Sequence, residues 1–216
     1  IQARIKKTRG CSLEEYAPFK IAGGNLRPIR YSLPVASAQV KSAILLAGLY
    51  AYGTTEVIEP VKTRDHTERM LKLYGADIAT ARNKITLKGR KGLVSPRSFY
   101  VPSDLSSASF FIVAALITPG SSLIIEDVSL NPSRMGFVKV LKRMGARLSI
   151  SSSRESNQEP SGSITAGSSI LKSTVVKPQE IPSLIDEIPV LMVAACFAKG
   201  RTIFRSVQEL RVKETD

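Results

Sequence analysis

Tryptophan is absent from these 216 residues, histidine occurs once, and cysteine twice. One histidine excludes a His-rich metal cluster, and Cys11 and Cys196 are too far apart to form a disulfide framework or a metal site; no metal is expected. So little cysteine favours a reducing compartment. Aromatics make up 6% of the chain, thin for the stacking platforms that single-stranded nucleic acid requires. No apolar run reaches the roughly 18 residues of a membrane span; Ala108–Ile117 comes nearest, so no membrane partner is expected. The chain opens on Ile1 without a charged-then-apolar leader, and a cytoplasmic location is the expectation. Acidic residues are scarce, 18 against 31 Lys and Arg, for a net charge of +13. Residues 1–100 hold 18 basic and 7 acidic side chains, and residues 101–216 hold 13 and 11. A basic half points to an anionic partner or to a solubilising surface, and charge alone favours the surface.

What the chain does contain is a repeat. Three segments share an extended apolar lead, a small polar cluster, an apolar helical run closed by glycine, and a β-rich run. They cover 32–59 (SLPVASAQVKSAILLAGLYAYGTTEVIE), 100–127 (YVPSDLSSASFFIVAALITPGSSLIIED) and 180–207 (EIPSLIDEIPVLMVAACFAKGRTIFRSV). Gly53, Gly120 and Gly200 stand where a helix C-cap wants positive φ. The first two copies continue through an Arg-bearing turn, KTRDHTE at 62–68 and NPSR at 131–134. A second amphipathic helix follows in each, ending at Gly75 and Gly145, then further strands: ADIAT with ITLKG as its hairpin partner, and ARLSI. The unit is β-α-β-α-β with an additional strand in the first copy, an α/β class with helices on sheets. Residues 151–162 (SSSRESNQEPSG) read as an exposed polar loop, and 162–176 (GSITAGSSILKSTVV) as a strand pair. The third copy breaks off after ELRVKETD, so the chain reads as a piece of something longer.

The polar clusters open the first helices: Ser37-Ala38-Gln39, Asp104 to Ser107, and Asp186-Glu187. Taken singly each is a helix cap. Repeated three times, such ends could also converge as an anion-binding mouth, because free N–H groups and the helix dipole favour negative charge. Arg64 to Glu68 reads as a charged first turn capped by Asp65, with His66 a structural residue and Arg64 seeking a carboxylate or phosphate. Asn131 to Arg134 reads as a plain β-turn. Asp186 lies among Leu184, Ile185 and Ile188, surroundings suited to proton transfer, although a lone acid there is first of all a cap. Lys213-Glu214 reads as a solvated pair.

In this order the strings PVASAQVKSAILLAGLYAYGTTEVIEP, TRDHTERML, DLSSASFFIVAALITPGSSLIIEDVSLNPSR, IPSLIDEIPVLMVAACFAKG and ELRVKETD resemble the enolpyruvyl transferase family. Within it they are most similar to the 3-phosphoshikimate 1-carboxyvinyltransferases (EPSP synthases). The resemblance covers most of 32–150 and 180–216. It implies an inside-out α/β barrel of repeated βαβαββ units in two domains. Residues 1–100 would be the C-terminal part of the first domain and 101–216 the N-terminal part of the second. It also implies transfer of the enolpyruvyl group of phosphoenolpyruvate to the 5-hydroxyl of shikimate 3-phosphate, with no cofactor and no metal, in an enzyme that is monomeric at full length.

By position, the resemblance makes Asp186 the base at the 5-hydroxyl and Glu214 the acid/base at C3 of phosphoenolpyruvate. Ser37, Ala38, Gln39, Arg64, Asp186 and Lys213 would contact shikimate 3-phosphate, and Gln39 and Glu214 phosphoenolpyruvate. SAQVK and RDHTE place the chain with the class less sensitive to glyphosate, whose N-P-T-R carries Thr where this chain has Ser133. The family's Lys-Ser pair, Asn-Gly-Thr loop and several Arg and Lys clamps fall outside residues 1–216, so the segment alone is expected to be inactive. The alternatives are a UDP-N-acetylglucosamine enolpyruvyl transferase, whose first motif reads Gly-Ala-Thr rather than Ser-Ala-Gln, a non-catalytic remnant, or a basic nucleic-acid-binding protein.

Overall fold

The computed structural model describes residues 4–6 and 20–213. The chain divides into two compact units, residues 1–60 with 74–94, and residues 61–73 with 95–216. The segment 61–73, which a linear division places with the first domain, thus packs with the second unit.

In the first unit β1 (Arg4–Lys6) pairs antiparallel with β2 (Lys20–Ala22). A second sheet runs β3 (Arg30–Ser32), β4 (Thr54–Ile58), β6 (Lys84–Lys88), β5 (Asp77–Ala81). Helix α1 (Ala38–Gly48) crosses between the parallel strands β3 and β4, and β5–β6 is the antiparallel hairpin expected from ADIAT and ITLKG. Alternation sets the faces: Thr55 and Val57 of β4 point inward opposite Leu87 and Ile85 of β6. Lys41, Leu45 and Gly48 of α1, spaced for one helical face, are buried. Gly48 lies so close to β4 that a Cβ there would sit 3.0 Å from Thr55 Oγ1. Lys41 carries its charge into this face and meets buried Glu59 at 3.1 Å.

In the second unit α2 (His66–Leu73) precedes α3 (Leu105–Ile117), β7 (Ser122–Ser129) and α4 (Gly136–Arg143). The strands β8 (Arg147–Ser156) and β9 (Glu159–Gly167) complete a sheet ordered β7-β9-β8. The third copy supplies β10 (Val175–Val176), α5 (Ile188–Cys196), β11 (Ile203–Phe204) and α6 (Gln208–Lys213). A short extended stretch ahead of each first helix lies parallel to the strand after it, β3 with β4, Ser103 with Val128, β10 with β11. In the third copy that stretch precedes residue 180, and the expected extended lead is instead a 3₁₀ turn over Pro178–Ser183. The core of this unit is built from Leu105, Ile112, Leu116, Phe137, Leu141, Ile164, Leu184, Ile188 and Leu191, all at most 1% exposed. Gly53, Gly120 and Gly200 take φ of 124°, 74° and 97°, but the C-caps of α1, α3 and α5 are Leu49, Thr118 and Phe197, so these glycines turn the chain between helix and strand rather than cap the helix.

Residues 151–162 are not the polar loop expected. They form the end of β8, a two-residue turn and the start of β9, paired from Ser156 and Glu159 back to Arg147 and Gly167. Asn157 and Gln158 both take positive φ, 54° and 64°, the conformation that lets a two-residue turn follow the twist of the strands. The hydrophobic alternation that marks a strand is carried here by Ile164 and Ala166 on β9, so β8 needs none of its own beyond Leu148 and Ile150. The second copy therefore also ends in two strands, as βαβαββ units do. Among the described residues no helix is long and apolar enough to cross a membrane.

Candidate active site

The three first helices begin differently. At α1, Ser37 is the N-cap, its hydroxyl accepting from the Val40 N–H at 3.3 Å, with Ala38 and the exposed Gln39 in the opening turn. No acidic residue lies in that turn. At α3, the Asp104 carboxylate caps the Ser107 N–H at 3.0 Å and takes an Arg134 N–H at 3.0 Å. Burial works to raise the Asp104 carboxyl, but N–H bonds from Ser107 and Ser106 and the Arg134 charge outweigh it and hold it below the usual range. At α5, a 3₁₀ turn carrying Asp186 and Glu187 runs straight into the helix. Two of the three helix starts thus carry a carboxylate at or just before the helix, whereas α1 starts on a neutral hydroxyl.

Asp186 is not the cap that a lone acid would be. No side chain caps α5, whose first turn contains Pro189, so the demand for acceptors there is smaller. Instead Asp186 Oδ2 accepts from Arg64 Nη2 at 2.6 Å, the two side chains being 25% and 20% exposed. The partners are 122 residues apart in sequence and share the second unit. A part-exposed, ion-paired carboxylate is a proton acceptor that a substrate can reach, and the guanidinium beside it is a fork for an oxyanion.

Around this pair runs a polar network that the sequence showed only as separate turns. Asp65 Oδ1 accepts from Arg69 Nε at 2.9 Å and from Asn131 Nδ2 at 2.8 Å. Burial acts to raise the Asp65 carboxyl, and these hydrogen bonds with the Arg69 charge overcome it, leaving the pKa below the ordinary value. His66 Nδ1 lies 2.7 Å from Glu159 Oε1. Glu159 came from the stretch expected to be loop, and Asn131 from a turn taken as plain. The only signal for Asn131 was its place before Pro132, a pattern that marks a turn whatever its partners. A cavity of 290 Å³ opens beside the network, with His66, Tyr100, Arg134 and Glu159 in its wall. Neither Arg64 nor Asp186 lines it.

The predicted residues therefore divide. Arg64 and Asp186 are brought together. Ser37, Ala38 and Gln39 lie in the first unit at the start of α1. Lys213 ends α6, and Glu214 lies outside the described residues.

The family model for EPSP synthase (3-phosphoshikimate 1-carboxyvinyltransferase) matches residues 3–216. A 3-phosphoshikimate 1-carboxyvinyltransferase of Petrotoga mobilis is 54% identical over 203 residues, covering 94% of this chain and 47% of the relative. One from Desulforudis audaxviator is 55% identical over 200 residues, covering 93% and 46%. An EPSP synthase structure from Acinetobacter baumannii superposes with a TM-score of 0.83 at 47% identity, over 99% of this chain and 48% of that one. The enolpyruvyl transferase NikO from Streptomyces tendae, at 19% identity and a TM-score of 0.69 over 86% and 45% of the two chains, shares the fold. The chain spans about half the length of the curated relatives it matches. With the repeats and these matches in agreement, the chain belongs to the EPSP synthase family.

Proposed function

We propose that this chain contributes to the transfer of the enolpyruvyl group of phosphoenolpyruvate to the 5-hydroxyl of shikimate 3-phosphate. The observation that carries the reading is the Arg64–Asp186 pair, assembled across 122 residues in a member of this family. Asp186 accepts the 5-hydroxyl proton as that oxygen attacks C2 of phosphoenolpyruvate, while Glu214 delivers a proton to C3. The tetrahedral adduct then loses inorganic phosphate, and a C3 proton returns to Glu214 to restore the double bond. Arg64 and Lys213 hold the shikimate side by charge. Ser37 and the N-terminus of α1 take the 3-phosphate, Ala38 leaving room beside it, and Gln39 lies toward both substrates. We place this chemistry in the cytoplasm of a bacterium, in a protein that acts as a monomer. The bacterial sources of the relatives support the first part.

The test is a hybrid enzyme in which residues 3–216 replace the matching segment of the Petrotoga mobilis relative. It is expected to release phosphate from phosphoenolpyruvate with shikimate 3-phosphate and not with UDP-N-acetylglucosamine. Asp186→Asn in the hybrid is expected to lower kcat by about 10²–10⁴-fold, the usual contribution of a positioned base. Phosphate release that survives Asp186→Asn unchanged would sink the assignment.

A further inference from the structure

We infer that the turn Asn131 to Arg134 is a two-armed clamp that sets the Arg64–Asp186 geometry, a positioning device for the reaction proposed above. The turn is stiff. Pro132 to Arg134 form a 3₁₀ turn, and Asn131 Oδ1 accepts from the Ser133 N–H at 2.8 Å and its hydroxyl at 2.6 Å. Pro132 fixes its own φ.

One arm is the Asn131 amide, 0% exposed. Its Nδ2 donates to Asp65 Oδ1 at 2.8 Å and to Glu159 Oε2 at 2.8 Å, so both protons are used. Asp65 is the residue next to Arg64. Arg69 ties the same segment down, bonding Asp65 with Nε and the Gln158 carbonyl with Nη1. Without the shared donor, two part-buried carboxylates would face each other, and the stretch 64–69 would shift.

The other arm is the Arg134 guanidinium, 13% exposed. It reaches Glu187 Oε1 at 3.3 Å, Asp104 Oδ1 at 3.0 Å and the Ser106 hydroxyl. Glu187 is 1% exposed and is the residue next to Asp186. The Ser106 hydroxyl also donates to Glu187, joining this arm to the first turn of α3. Each arm therefore ends one residue from a member of the pair, and neither touches the pair itself. Consecutive Cα atoms are about 3.8 Å apart, so a displaced anchor carries its neighbour with it.

The two arms can be tested separately in the 216-residue chain by amide hydrogen exchange. Asn131→Ala is expected to speed exchange in 64–69 and leave 185–188 unchanged. Arg134→Lys, which keeps the charge but loses the fork, is expected to do the reverse. Asn131→Asp preserves shape without the donor and must reproduce the Asn131→Ala pattern. Exchange that rises in both segments with either variant, or in neither, overturns the clamp. In the hybrid enzyme Asn131→Ala is expected to lower kcat by about 10²-fold, as a misplacement near 1 Å does, with KM little changed. Added to Arg64→Ala it should cost nothing further; an additive loss would mean a structural role unconnected to the pair. An inactive unmutated hybrid would count against the proposed reaction, and the exchange experiment would still decide on the clamp.

Discussion

At the scale of single residues, two carboxylates show how environment separates roles. Asp186 pairs with the Arg64 guanidinium at 2.6 Å and stays a quarter exposed, which suits the base role proposed for it. Asp65, one residue from Arg64, is shared between Arg69 and the buried amide of Asn131 and is committed to structure. Its depressed pKa has a direct consequence. The stabilisation it provides is complete above the ordinary carboxylate value near 4 and is lost as pH falls below that, through its lower folded value. The melting temperature should therefore drop on acidification below about pH 4, and Asp65→Asn should flatten that drop while lowering stability at neutral pH. Thermal melts of both proteins from pH 3 to 7 check it. In the first unit, Lys41 and Glu59 form an ion pair with 0% and 2% side-chain exposure. Lys41→Met strips Glu59 of its buried cation and is expected to cost about 3–5 kcal/mol in denaturant unfolding, with Lys41→Met/Glu59→Leu recovering most of it.

At the scale of elements, helices α1 to α5 were legible, whereas the β8–β9 hairpin was not, and α6 stands where ELRVKETD was expected to turn. Glycines closing apolar runs announced the helix ends to within a few residues: Gly145 directly follows the C-cap Met144 with φ 87°, whereas Gly53, Gly120 and Gly200 take positive φ only beyond the C-caps Leu49, Thr118 and Phe197. The β8–β9 hairpin hid behind its composition. Its turn residues Asn157 and Gln158 are not the usual Asn-Gly, and a run of serines carries no alternation. What holds β8 is backbone pairing to β9, at a spacing so close that a Cβ on Gly162 would lie 2.1 Å from the Ser151 carbonyl oxygen. Gly162→Ala should destabilise the second unit by about 1–3 kcal/mol, as overpacking does, and raise exchange along β8 and β9 before the rest of the unit. The site followed the same division. Ser37 could be recognised as a cap from its position, whereas Asn131 joins residues 66 positions back and 28 positions forward, contacts that no local pattern encodes.

At the scale of the whole molecule, the repeat was the most informative feature. Three copies of one β-α-β motif place three helix starts in equivalent positions, and a short extended stretch ahead of each helix lies parallel to the strand after it. Divergence at those starts then distributes the work. One copy keeps a neutral cap on a bare dipole, one anchors Arg134 through Asp104, and one offers Asp186 to Arg64. The excess of positive charge lies in residues 1–100, with 18 basic and 7 acidic side chains. The residues singled out Arg64 as seeking a carboxylate or phosphate and Asp186 as an acid among apolar neighbours, but spacing could not pair two side chains 122 positions apart. The measurement that bears most directly on this account is phosphate release by the hybrid carrying residues 3–216, with and without Asp186→Asn. We predict turnover with shikimate 3-phosphate that collapses by about 10²-fold or more in the variant. Equal rates in the two proteins, with folding intact, would contradict it.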